Sequence, residues 1–212
     1  MMKVWGRVSS SNVQKVMWAI AELGVEHERV DAGGAFGVVD TPQYTAMNPN
    51  QLVPTVEDDG HVLWESNSIV RYLAARYGAA TLSPENLAVR AEAERWMDWQ
   101  LTTVHPNWGQ MFMGMVRTPA AQRDMNRINA AVKNLGATYQ ILDAQLEGRD
   151  YIMGDTLTIA DIPLGVTMYR YYELGVERPP MANVDAWYAR LQARPAYAEH
   201  AMVSFESLRV PD

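Results

Sequence analysis

The chain has 212 residues, with 18 Lys+Arg against 25 Asp+Glu, a formal net charge of -7 and no cysteine. That acidic balance argues against a general phosphate-backbone binder, which needs a basic face, so nucleic acid is not an expected partner. Without cysteine there is no disulfide, no thiolate zinc site and no cysteine nucleophile, and any sulfur chemistry must use a sulfur that arrives with a ligand.

The length suits one large domain or two small ones tightly joined, and two is the expectation. The opening MMKVWGRV lacks a long apolar stretch, and no run approaches the ~20 apolar residues that span a bilayer. A cytoplasmic protein with no membrane partner is therefore expected.

In chain order, KVWGRV reads as a strand, and Val13, Val16, Met17, Ile20 and Leu23 then recur at helical spacing until Gly24 stops the helix. EHERVDA reads as a second strand, parallel to the first because a helix separates them. TPQYTAMNP gives at most a short helix. VPTVE and HVLWE form a hairpin around Asp58-Asp59-Gly60, and SNSIVRYLAARYG closes residues 1–78 with a helix ending at Gly78.

GAATLSPEN changes the character of the sequence, and residues 79–86 read as a linker. Beyond it, residues 87–212 read as all-helical: long patterns at 87–115 and 119–147 are followed by three shorter ones. The fold class is α/β plus all-α.

Four features carry possible chemistry. In RVSSSNVQKV, Ser11 and Gln14 have capping-box spacing, which explains one serine of three. Ser10 and Asn12 stand at the positive end of the first helix, beyond the end of a strand, where open α/β sheets bind ligands and where a thiolate is favoured. Lowering a thiol pKa from about 8.5 by ~2 units needs about 2.7 kcal/mol. A hydrogen bond to a charged group supplies roughly 1.5–3 and a helix terminus roughly 0.3–1, so no catalytic base is required.

Val53-Pro54 reads either as an edge-strand proline or as a cis bond that frees the Val53 backbone for a peptide-like ligand. Ser66 reads as a helix N-cap, while Glu65 and that N-terminus together also match the ammonium and carboxylate of an amino-acid head group. Trp108, Met111, Phe112 and Met115 are candidates to line a pocket for apolar molecules of varied shape. His105 reads as structural or surface, and Asp161, at capping-box spacing from Thr158, as structural. The histidines show no metal-ligand spacing, and there is no glycine-rich phosphate loop or nucleophile elbow.

Taken in order, SSSNVQKV, NPNQLVPTVEDDG, WESNSIVRYLA and LTIADI resemble the cytosolic glutathione transferase family over essentially the whole chain, and within it the bacterial serine-type, theta- and beta-like members. The resemblance implies a thioredoxin-like N-terminal domain, an all-helical C-terminal domain that supplies the electrophile pocket, a homodimer, and conjugation of glutathione to small electrophiles with no metal. It implies that Ser10 holds the glutathione sulfur, with Ser9 and Ser11 as rivals. Glu65 and Ser66 would hold the γ-glutamyl head, Val53 would pair with the cysteinyl backbone ahead of a cis Pro54, and Gln51 would approach the glycyl end. Asn12 is similar to its counterpart in bacterial members that reduce disulfides with glutathione. Disulfide or peroxide reduction is thus an alternative reaction, and a non-catalytic glutathione-binding module a second.

Overall fold

A strand that alternates its faces and a helix with an apolar stripe open the chain, and each forms close to where its period places it. The protein is described by a computed structural model covering residues 1–78 and 81–211. β1 (Met2–Trp5) buries Met2 and Val4, while α1 (Ser11–Leu23) buries every residue from Val13 to Ile20. A helix buried on all sides must be packed on all sides. α1 lies between α3 (Ser66–Tyr77) of its own domain and α7 (Asp161–Glu173) and α9 (Pro195–His200) of the helical one.

The sheet runs β2-β1-β3-β4, with β2 (His27–Val30) parallel to β1, and with β3 (Thr55–Asp58) antiparallel both to β1 and to β4 (His61–Trp64). The hairpin closes through Asp59 and Gly60, both at positive φ, as its turn chemistry requires. α2 (Pro42–Met47) is the short helix before the cis Val53-Pro54 bond. The linker expected at 79–86 lies partly outside the described residues, at positions 79 and 80, as does the end of the expected second domain at 212.

The helical pattern at 87–115 folds as α4 (Leu87–Trp99), one π-helical stretch (Gln100–Val104) and α5 (His105–Val116). α6 (Met125–Gln145), α7, α8 (Ala182–Gln192) and α9 follow. No strand is assigned after 78 among the described residues; only isolated bridge positions occur there, at Ser83 and between Tyr151 and Gly154.

Asp161 is fully buried and holds the start of α7. Its carboxylate accepts from Ile152 N, Thr158 N, Thr158 Oγ1 and Trp187 Nε1 at 2.9–3.2 Å. Its role is structural. The two domains share one core, in which the Trp18 and Tyr197 rings meet edge to face at 4.8 Å. Glu22 at the end of α1 accepts from both Arg194 Nε and Nη2, at 2.8 and 2.6 Å, and from Trp18 Nε1 at 2.8 Å.

Candidate active site

The N-terminus of α1 opens into the seam between the domains. Ser10 is the N-cap in extended conformation, and its side chain makes no capping hydrogen bond. The helix begins one residue earlier than a Ser11–Gln14 capping box requires. Gln14 therefore sits one position too far along, and its Nε2 donates to Val8 O at 2.9 Å instead. Ser10 lines a cleft of about 260 Å³ together with Arg7, Ser9, Ser11, His105, Trp108, Phe112 and Arg170.

The rival serines are placed differently. Ser9 is buried, with its carbonyl accepting from Arg170 Nη2 at 2.7 Å. Ser11 is the first helical residue. Asn12 turns its Oδ1 to the Ser66 hydroxyl, which donates at 3.3 Å, so the amide Nδ2 remains as its donor. This bond joins the start of α1 directly to the start of α3, bringing Ser10, Asn12, Glu65 and Ser66 into one patch.

Ser66 is not the N-cap of α3. Glu65 is, at φ 72 and ψ 108, and Ser66 is the first helical residue, 4% exposed. Glu65 itself is exposed and makes no capping hydrogen bond. A glutamate at this φ stores of order 1–3 kcal/mol, which is the kind of strain found where a side chain must be aimed. The backbone groups of Val53, half-buried ahead of cis Pro54, lie on the adjoining stretch. Gln51 is exposed, also at positive φ, with its Nε2 3.5 Å from Thr45 Oγ1.

Of the four pocket candidates, Trp108 and Phe112 line the cleft, their rings stacked at 5.3 Å. Met111 does not, because the same helix turn carries it wholly into the core. Met115 faces a separate groove of about 950 Å³ along α6 that holds none of the residues named above. Met113 takes a place in the cleft, and so does His105, whose ring stacks on Trp108 at 5.9 Å and is pulled below its usual pKa by desolvation and by nearby Lys15.

The two-domain architecture has counterparts among known proteins. The models for the N-terminal and C-terminal domains of glutathione S-transferase match residues 1–75 and 104–195. Glutathione S-transferase GstB of Escherichia coli (strain K12) is 40% identical over 205 residues, 96% of this chain and 99% of that one. The chain belongs to the glutathione S-transferase family. The theta-class glutathione S-transferase of Xanthomonas axonopodis pv. citri, solved with glutathione bound, superimposes with a TM-score of 0.91 at 46% identity, covering 96% of this chain and 98% of that one. Glutathione S-transferase D6 of Drosophila melanogaster is 27% identical over 90% of this chain and 87% of its own.

Three residues of this glutathione S-transferase escape a reading of the sequence. Lys15, 2% exposed, directs its ammonium to Ser66 Oγ at 3.5 Å and Gln100 Oε1 at 3.3 Å. Burial brings its pKa down to about 7, against the pull of Glu65 in the opposite direction. Arg170, 3% exposed, reaches the Ser9 carbonyl across the domain seam. Arg7 lies against the loop after β2, so close to Gly33 that a Cβ there would stand 3.1 Å from Arg7 Nη1. In the sequence Lys15 is marked only by apolar neighbours at Val13 and Val16, and its burial emerges from the fold; Arg170, 161 residues from Ser9, carries no such mark. Among the described residues no cluster of His, Asp or Glu is arranged to hold a metal, and no helix is long and apolar enough to cross a membrane.

Proposed function

We propose that the chain conjugates the glutathione thiolate to small electrophiles, with Ser10 donating a hydrogen bond to the sulfur. The observation that carries this reading is the place of Ser10: it caps α1 without a side-chain capping bond and lines the cleft at the positive end of the helix dipole. Asn12 Nδ2 adds a second donor. The γ-glutamyl carboxylate sits on the free N–H groups at the start of α3 beside Ser66, its ammonium against Glu65. The cysteinyl amide pairs with the Val53 backbone, and the glycyl end approaches Gln51.

Catalysis then has two parts. Hydrogen bond and dipole raise the thiolate fraction at neutral pH, and the cleft between Ser10, Trp108 and Phe112 holds the acceptor against the sulfur. The thiolate attacks the electrophilic carbon, the carbon–sulfur bond forms, and the leaving group departs with its electron pair. No base and no metal enter the scheme.

We further place the protein in the cytoplasm as a homodimer. Leu52, 65% exposed, and Val62, Trp64 and Leu101 are apolar side chains open to solvent on the chain alone, and a second copy would cover them. Sedimentation at several concentrations tests the dimer.

The catalytic reading is tested by Ser10→Ala, Ser9→Ala and Ser11→Ala assayed with a chlorinated nitroarene. Loss of the Ser10 donor lowers kcat by about 10²-fold with little change in glutathione affinity, and the other two substitutions do far less. Undiminished turnover in Ser10→Ala refutes the role.

A further inference from the structure

The cleft beside Ser10 is expected from sequence to be apolar, and half of its wall is not. Arg7, Arg117 and Arg170 all line it, together with His105, and no carboxylate does. Among the described residues none of the three guanidinium groups has an ion-pair partner. The neighbouring acid, Glu206, is taken up by Arg209 at 2.8 Å. In a chain of net charge -7 a cationic pocket is a local arrangement and not a reflection of composition.

Arg170 shows the arrangement most clearly. It is 3% exposed, its Nε has no hydrogen-bond partner, and only one of its nitrogens is bonded, to the Ser9 carbonyl. The guanidinium plane is held over Phe112 at 4.5 Å, with Trp108 and Phe205 each at 5.8 Å. A buried cation persists when counter-charge or ring faces compensate it, and the rings supply only part of that. The three cations also repel one another: Arg170 is pulled down to about 10 by burial and then by Arg7, and Arg7 is lowered by burial and then by Arg117. One thiolate satisfies one positive charge and leaves an excess.

We infer that this cleft is built for acceptor substrates that carry an anionic group, a carboxylate or its equivalent, a few atoms from the electrophilic carbon, with Arg7, Arg117 and Arg170 as its counter-charges. The inference rests on the transferase reading above and deepens it by naming the acceptor class. The aromatic pair Trp108–Phe112 takes the uncharged part of the molecule, and the planar fork of a guanidinium takes the carboxylate. The reaction is unchanged: for an aryl chloride the sulfur–carbon bond forms, the carbon–chlorine bond breaks, and chloride leaves.

The test pairs para-chloro-meta-nitrobenzoate with the corresponding benzamide, each rate divided by its uncatalysed rate with glutathione. The wild type is expected to favour the benzoate by about tenfold in kcat/KM, the preference falling steeply with salt. In Arg117→Gln and in Arg7→Gln, both at less buried positions than Arg170, the ratio of benzoate to benzamide drops toward unity. A wild type without preference overturns the inference. So does an equal loss for both acceptors with the bound thiol titrating higher, which assigns the guanidinium groups to the sulfur. An unchanged ratio with weakened glutathione binding likewise overturns it, assigning them to glutathione's own carboxylate. If neither acceptor turns over, the transferase reading fails, and calorimetry with the two conjugates decides the pocket separately: tighter binding of the carboxylate conjugate supports the anion site, equal binding ends it.

Discussion

Lys15 Nζ lies 3.5 Å from Ser66 Oγ across the seam between α1 and α3, and 2% of the residue is exposed. The ammonium is destabilised there, chiefly by burial, and its pKa falls from 10.5 to about 7. A lysine depressed in the folded state binds fewer protons than the unfolded chain between those two values, so stability rises with pH through that window. At ~1.4 kcal/mol per pH unit, unfolding should cost roughly 2–3 kcal/mol more at about pH 9.5 than at about pH 7.5. In Lys15→Met that increment disappears. Denaturant unfolding of both proteins across the window measures the difference, and parallel curves would remove Lys15 as its source.

Glu22 and Arg194 tie α1 to the helical domain through paired hydrogen bonds at 2.8 and 2.6 Å. Desolvation opposes ionisation of Glu22, but the bonds from Arg194 and Trp18 outweigh it and its pKa is lowered. A carboxylate depressed in this way stabilises above its unfolded pKa and loses that contribution as the solution is acidified through its folded value. Glu22→Gln should cost about 1.5–3 kcal/mol at neutral pH and much less in acid. Equal destabilisation at both pH values would mean the ion pair contributes only packing.

Glu65 combines a strained backbone with an exposed carboxylate that makes no capping bond. Glu65→Gly and Glu65→Ala separate the two. Both should lose glutathione affinity, by about tenfold or more. The glycine variant should be more stable than the alanine variant by about 0.5–1 kcal/mol, because glycine tolerates positive φ. Retained affinity in both would detach Glu65 from ligand binding.

Asp161 is the fixed point of the helical domain and does not line the cleft beside Ser10. Asp161→Ala strands the Ile152 and Thr158 amides and the Trp187 indole N–H, and should cost about 3–5 kcal/mol. The surviving folded fraction should keep wild-type KM for glutathione. A kinetic defect exceeding the loss of folded protein would point to a role at the site.

The fold was readable because its periods are clean: β1, β2 and the β3–β4 hairpin follow short β-branched runs, and α1 and α3 end at Gly24 and Gly78. Where the reading slipped, the cause lay in one-residue offsets. Helix α1 starts at Ser11 and not after it, which dissolves the Ser11–Gln14 box, and α3 is capped by Glu65 in a conformation that no propensity favours in a glutamate. On α5, His105, Trp108, Gly109, Phe112 and Met113 share the face toward the cleft, and an apolar stretch does not reveal which of its residues turn instead to the core, as Met111 does. The cationic wall was invisible because Arg7, Arg117 and Arg170 meet only in three dimensions.

If the Ser10 hydroxyl stabilises a thiolate, ultraviolet difference titration of enzyme-bound glutathione will register it as a lowered thiol pKa. In the wild type the bound thiol should ionise about 2 units below the free value near 8.5, and in Ser10→Ala about 1–2 units higher than that. A bound thiol that ionises at the same pH with and without the Ser10 hydroxyl would contradict that stabilisation.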